Sequence, residues 1–488
     1  VKETRGPDGA LLYDEAEYTV KVKVSDDGSG ILKAEVVGDT KEADLKFVND
    51  LTKVKISKID AANQAELPGA KLEIRDADGE VIDSWISGSE PHYIEGILKA
   101  GQKYTLTETA VPNGYKYAEE ITFEVGKDGK VQTVTMKDAP SKLTVSKKDM
   151  ADLTKDLPGA TFEVQDENGD VVRTVYNETL RWTTTADALV KTITGLKDGS
   201  YQLVETKAPT GYTIAAPISF TVKDGKFFRT IDKEAAEVDT ITVKDQATEL
   251  VISKVDIADA EKELPGAELQ IMDTEGKEVV KTIFGEELKW TSAETAKQIK
   301  GLSAGEYILR ESKAPTGFAV AADVKFTISD DLTVENKVVM KDAPTDVTVS
   351  KVALTNETRE LPGATLQILD EKGEIAKTVY GEQLSWISDV TAKVIKGLPA
   401  GTYTLRETAA PDGYALSEDV TFTVNTDGTT TKVVMKDDVT RVQISKMDVT
   451  NNKELAGAHL ALKDASGEII LNWISTGEPK VFEGKLTP

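Results

Sequence analysis

Cysteine is absent from this 488-residue chain, which excludes disulfides, thiolate metal sites and cysteine nucleophiles. Histidine is nearly absent too. His92 and His459 are the two in the sequence, too few to expect a Ser-His-Asp triad or a histidine-built metal centre. No apolar run reaches the length of a membrane span, so no membrane insertion is expected from this segment. The opening VKETRGPDGALLYDEAEYTV has no apolar stretch behind a basic tip and does not read as a signal peptide. Positive charge is in deficit, with 59 Lys and Arg against 84 Asp and Glu, for a net charge of −25. Such a chain is repelled by phosphate backbones and carries no basic, aromatic-rich stripe, so nucleic acid is excluded as a partner. What is present is ordinary for a globular protein: 39% hydrophobic residues and 36 glycines. The length alone suggests several domains, and nothing in the composition asks for a cofactor.

The chain repeats itself. Five segments open alike, as VKISKID (54–60), LTVSKKD (143–149), LVISKVD (250–256), VTVSKVA (347–353) and VQISKMD (442–448). Each is followed by ELPGA, DLPGA or ELAGA. Four continue to a second box, YTLTETAVPNGY (104–115), YQLVETKAPTGY (201–212), YILRESKAPTGF (307–318) and YTLRETAAPDGY (403–414), and close on VTMKDAP, ITVKDQA, VVMKDAP or VVMKDDV. The opening lysines stand 89 to 107 residues apart, so each repeat is domain-sized and owns a core.

Within a repeat, short alternating runs are separated by turn signals such as DADGE (76–80), DENGD (166–170), KDGK (127–130) and NTDGT (425–429). The expected fold is all-β, a tandem array of Greek-key, Ig-like β-sandwiches. SAETAKQIKGL (292–302) and its counterparts read as weakly helical. The closing and opening strands of neighbours nearly abut across segments such as AP-TD, where proline favours a stiff connector, so an extended rod is expected. The domains are 51–139, 140–246, 247–343 and 344–438, with 1–50 the C-terminal part of a preceding β-domain. Residues 439–488 are the N-terminal half of a further repeat. Both ends therefore read as cut from a longer protein, whose other domains are the expected partners.

Side chains two apart on a strand share a face. By that period Lys58 lies with Val54 and Ile56, and Lys147, Lys254 and Lys351 take the same position. Glu108 falls on the face of Tyr104 and Leu106, with Glu205, Glu311 and Glu407 equivalent to it. Asp138 falls with Val134 and Met136, and Asp245, Asp342 and Asp437 repeat that placement. Each complete repeat thus points one lysine and two carboxyls at its core. One explanation is a buried salt-bridge network, or strand ends that reach water. The other is chemical. Burial lowers a lysine pKa and raises those of carboxyls, so a neutral amine can attack a protonated acid while the second carboxyl shuttles protons. The product is an amide, with loss of one water.

ISKxD, the ELPGA turn, the YxLxETxAPxGY box and the closing MxD strand resemble the Cna B-type, prealbumin-like domains of Gram-positive adhesins and pilins, over about residues 51–488. The resemblance implies spontaneous Lys–Asp isopeptide bonds assisted by the box glutamate. Residue by residue it implies Lys58–Asp138 with Glu108, Lys147–Asp245 with Glu205, Lys254–Asp342 with Glu311, and Lys351–Asp437 with Glu407. The second repeat departs from the pattern in its extended closing hairpin, KDGKFFRTIDKEAAEVDT, which makes Asp239 an alternative acceptor to Asp245. The fourth ends MKDDV, where strand period favours Asp437 over Asp438. The N-terminal stretch ending in LKFVND resembles a streptococcal-pilin isopeptide domain, which makes Asn49 an acceptor whose lysine lies upstream. Lys446 of the fifth repeat faces inward but lacks its glutamate and aspartate. The implied role is a stalk on a Gram-positive cell wall, not an enzyme beyond this self-directed reaction; the alternative is an adhesin in which one domain binds a host matrix protein or glycan.

Other signals are weaker. DADGE and DENGD lack the ligand series of a calcium loop and read as hairpin turns. LPGA has alanine where a sortase signal has threonine. Trp85, Trp182, Trp290 and Trp386 recur at one site per repeat, where packing is favoured over carbohydrate stacking.

Overall fold

A computed structural model describes residues 1–3, 11–12, 16–38, 46–331 and 334–486. The chain divides into two compact units, Val1–Gln246 and Ala247–Pro488. Among the described residues every regular element is a strand.

The first unit holds the N-terminal segment and two complete repeats. In the N-terminal segment Lys21–Asp26 pairs with Leu32–Val37, and Leu11–Leu12 pairs with Asp50–Leu51 just before the first repeat opens. The first repeat is a sandwich. Its three-stranded sheet places the opening strand, Lys53–Asp60, between the closing strand, Val131–Asp138, and His92–Glu95. The four-stranded sheet runs Ile121–Glu124, Lys103–Ala110, Lys71–Arg75, Val81–Ile86. Alternation along the opening strand buries Val54 and Ile56 to 1% exposure, and Leu72, Ile74 and Leu106 meet them from the facing sheet.

The second repeat copies this plan with one addition. A hairpin, Lys226–Ile231 with Glu234–Val238, extends its second sheet to six strands. Phe227 anchors the hairpin in the core, with its ring 6.1 Å from that of Phe220.

The second unit holds the third and fourth repeats and residues 441–486. The opening strands Glu249–Asp256 and Asp346–Ala353 each pair in parallel with the closing strands Asn336–Asp342 and Thr431–Asp437. In residues 441–486, Arg441–Ile444 pairs with Lys480–Glu483 and His459–Lys463 with Ile469–Ile474.

The helical expectation for 292–302 is corrected. Lys297–Lys300 is a strand, antiparallel to the opening strand with Ile299 opposite Leu250. Val190–Thr194 and Lys393–Lys396 do the same in their repeats. One buried isoleucine and a free sheet edge outweigh the modest helix propensity of Ala, Glu, Lys and Gln, which is a weak local preference.

Trp85, Trp182, Trp290 and Trp386 are half-buried against the four cores, and Trp85 also stacks on His92 at 4.1 Å. DADGE and DENGD are tight turns in which Asp76 and Asp166 accept the backbone N–H groups of the residues two and four further on.

Candidate reaction centres of the four repeats

The parallel pairing of first and last strands decides what each lysine meets. Lys58 stands opposite Met136, which places Asp138, the next inward residue, diagonally ahead of it. Lys147 stands opposite Val243, Lys254 opposite Met340, and Lys351 opposite Met435. The glutamate arrives from the facing sheet. Glu108 stands opposite Leu72, where the strand register shifts by one residue. Glu205, Glu311 and Glu407 sit at the same irregularity. A bulge of this kind re-aims a side chain, here into the core.

Each lysine ammonium contacts one aspartate oxygen directly, in the pairs Lys58–Asp138, Lys147–Asp245, Lys254–Asp342 and Lys351–Asp437. The glutamates lie 2.9, 2.8, 2.9 and 2.9 Å from the same nitrogens. The lysines are at most 2% exposed, the glutamates at most 7% and the aspartates at most 1%. A backbone N–H holds each glutamate in place, from Ala118, Ala215, Ala321 and Ser417 at 2.9, 2.8, 2.6 and 2.7 Å.

One ammonium between two carboxylates leaves a net negative charge in a dry interior, and burying unbalanced charge is costly. A retained proton removes it. Burial pushes the carboxyls of Asp138, Asp245 and Asp342 up to about 7 against the pull of their lysines. In the fourth repeat burial raises Glu407. The second oxygen of Asp138, Asp245, Asp342 and Asp437 is buried without a hydrogen-bond partner among the described residues, a cost of about 1–3 kcal/mol each. These groups are therefore a strained ionic cluster and, chemically, an amine held against a protonatable acid with a proton acceptor alongside.

Asp245 sits at Lys147, whereas Asp239 is exposed and accepts a hydrogen bond from Thr240. The alternative acceptor in the second repeat is thereby removed from the centre. Asn49 is half-buried and its amide donates to Glu3 at 3.4 Å. Lys446 is exposed rather than inward-facing, because among the described residues neither a glutamate strand nor a closing strand lies over it.

Two contributors escape strand-period reasoning. The glutamate of ELPGA accepts the backbone N–H of the central lysine, from Lys58 to Glu66 at 3.2 Å, Lys254 to Glu263 at 2.8 Å and Lys351 to Glu360 at 2.9 Å. The shorter Asp156 of DLPGA instead takes the Lys148 ammonium at 2.8 Å. Ser417 places its hydroxyl among the reacting groups of the fourth repeat. The signal for it was the alignment of the repeats, where the other three have alanine.

An all-β sandwich that buries a lysine of its first strand against an aspartate of its last, with a glutamate from the facing sheet, has the plan of a prealbumin-like structural domain. The family model described as SpaA, prealbumin-like fold domain, matches residues 52–140, 141–235, 248–343 and 345–439, and that described as FctA, Spy0128-like isopeptide containing domain, matches residues 1–52. The chain belongs to the SpaA prealbumin-like family, in tandem, behind an FctA-type segment. The second match stops at residue 235, inside the added hairpin. No curated protein matches the chain. Among solved structures, the Bacillus anthracis TIE protein is 21% identical, with 89% of this chain and 76% of that one covered and a TM-score of 0.36. BcpA, the major pilin subunit of Bacillus cereus, is 16% identical over 60% and 99%, with a TM-score of 0.28. The major pilin SpaD of Corynebacterium diphtheriae is 16% identical over 61% and 96%, with a TM-score of 0.27.

Proposed function

We propose that this chain is a stalk or shaft segment of a Gram-positive surface pilus or adhesin, in which each complete repeat locks itself with an amide between Lys58 and Asp138, Lys147 and Asp245, Lys254 and Asp342, or Lys351 and Asp437. The observation that carries this reading is the direct contact of a buried lysine with a buried aspartate, beside a glutamate, four times over. The neutral amine attacks the carboxyl carbon of the protonated aspartate. The glutamate takes a proton from the nitrogen and returns it to the departing hydroxyl, which leaves as water. Partners separated by 80 to 98 residues become joined, which adds about 4–5 kcal/mol by a chain-entropy estimate. Because the lysine is on the first strand and the aspartate on the last, tension between the ends of a repeat passes through the amide and bypasses its core. Among the described residues no helix is long and apolar enough to cross a membrane.

Intact-mass spectrometry tests the reading. The purified chain is expected to be four waters lighter than its sequence, with cross-linked tryptic peptides at the four pairs. A full mass leaves ionic clusters only.

A second reading, that one repeat binds a host matrix protein or glycan, is favoured by one observation. The added hairpin of the second repeat walls a groove of about 510 Å³, lined in part by Asp166, Tyr201, Phe228 and Thr230. Glycan-array binding that is lost on Phe228→Ala would support it.

A further inference from the structure

The fourth reaction centre differs from the other three by one hydroxyl. The residue ten positions after the glutamate gives that glutamate its backbone N–H in every repeat, and is alanine at 118, 215 and 321 but serine at 417. Ser417 Oγ lies 3.1 Å from Lys351 Nζ. It is also hydrogen-bonded to Asp437 Oδ1, the oxygen that Lys351 contacts. Its third neighbour is the Lys436 carbonyl at 2.7 Å. A hydroxyl carries one donor and two acceptor lone pairs, so it accepts from an amine while donating to a carboxyl. An alanine methyl does neither.

We propose that Ser417 is a further catalytic residue of the fourth repeat, providing a proton path from Lys351 to Asp437 that does not pass through Glu407. The proposal rests on the amide-forming reading above. As Lys351 Nζ bonds to the carboxyl carbon of protonated Asp437, Nζ passes one proton to Ser417 Oγ. Ser417 passes its own proton to Asp437 Oδ1, the C–Oδ1 bond breaks, and that oxygen leaves as water. The amide keeps Oδ2 as its carbonyl oxygen, the serine ends as it began, and no other reactant enters. Before the reaction the hydroxyl can rest on the Lys436 carbonyl, which keeps Oγ within reach of both partners.

The test uses the full chain and follows water loss over time by intact mass, with tryptic mapping to assign it to a repeat. Glu311→Ala should leave the third repeat unlinked. Glu407→Ala should link the fourth slowly, and adding Ser417→Ala should slow that residual closure about a hundredfold, the scale of a lost general acid–base group. Ala321→Ser in the Glu311→Ala chain should create slow closure where there was none, a gain that misfolding cannot imitate. The proposal is overturned if Glu407→Ala never links, if Ser417→Ala leaves its rate unchanged, or if Ala321→Ser restores nothing. An unlinked Lys351 and Asp437 in the unmodified chain would instead remove the amide reading itself, and the relay with it.

Discussion

The phenol of Tyr176, in the second repeat, donates to the carboxylate of Asp60, in the first, at 2.9 Å. Tyr115 of the first repeat, the last residue of its ETAVPNGY box, donates to the same oxygen at 3.0 Å. Asp60 is only 2% exposed, so the two phenols replace the water it has lost. The pattern recurs in the second unit, where Tyr380 of the fourth repeat donates to Asp256 of the third at 2.8 Å. Burial raises the pKa of Tyr115, Tyr176 and Tyr380, which keeps all three as neutral donors across the physiological range. The equivalent aspartate, Asp149, takes its partners within its own repeat, Tyr212 at 2.8 Å and Lys155 at 3.6 Å. Close packing supports the same junction in the first unit. Gly114 has φ +95° and faces Val175 so closely that a Cβ there would lie 2.7 Å from Val175 Cγ1.

Tyr176→Phe should therefore loosen the first two repeats from each other. Removing one donor from a buried carboxylate costs about 1–3 kcal/mol. Limited proteolysis between residues 138 and 142 should quicken while the amides of both repeats remain intact by mass. Unchanged cleavage would show that the hydrogen bond adds nothing to the junction.

Lys254→Met keeps the apolar stem and removes the ammonium, and with it the amide proposed for the third repeat. The loss of about 4–5 kcal/mol of cross-link entropy should lower the melting temperature of that repeat by about 20 °C or more, before counting the two carboxyls left facing each other. Scanning calorimetry should show one transition moving and the others holding. A shift of only a few degrees would mean that no covalent bond was lost.

The pH dependence of closure has a definite sign. With Glu311→Gln and Ala321→Ser combined, closure of the third repeat is slow enough to follow, and its rate reports which partner must change protonation. Asp342 is pushed up to about 7, chiefly by burial, which the substitutions leave in place. An ionised carboxylate resists attack, so the rate should fall as pH rises through that region and be faster at pH 5.5 than at pH 8.5. A rate that climbs with pH would assign control to loss of the lysine proton.

Phe227→Ala should destabilise the second repeat by about 3–5 kcal/mol, as for other large-to-small changes in a packed core, because Phe227 is 1% exposed within it. Ile231→Ser, at the exposed end of the same strand, should cost little. Equal effects in denaturant titrations would show the added hairpin to be a single cooperative part of the core.

The number and order of the repeats, their all-β class and the inward-facing sides of their strands are determined by the sequence alone, because boxes recur at domain spacing and side chains on a strand alternate with a period of two. That period marks Lys58, Glu108 and Asp138 as residues sharing faces with Val54, Leu106 and Met136. It does not say which strands lie side by side. Only the tertiary structure decided that the first and last strands run parallel in one sheet with Lys58 opposite Met136, that Glu108 enters from the other sheet at a bulge, and that Lys297–Lys300 is a strand because the opening strand offers it an edge. The hydroxyl of Ser417 on Asp437 and the phenol of Tyr176 on Asp60 also lie beyond local reading. Each joins residues far apart in the chain, and local periodicity holds no information about such distances; they are set by how two sheets pack and how one repeat meets the next.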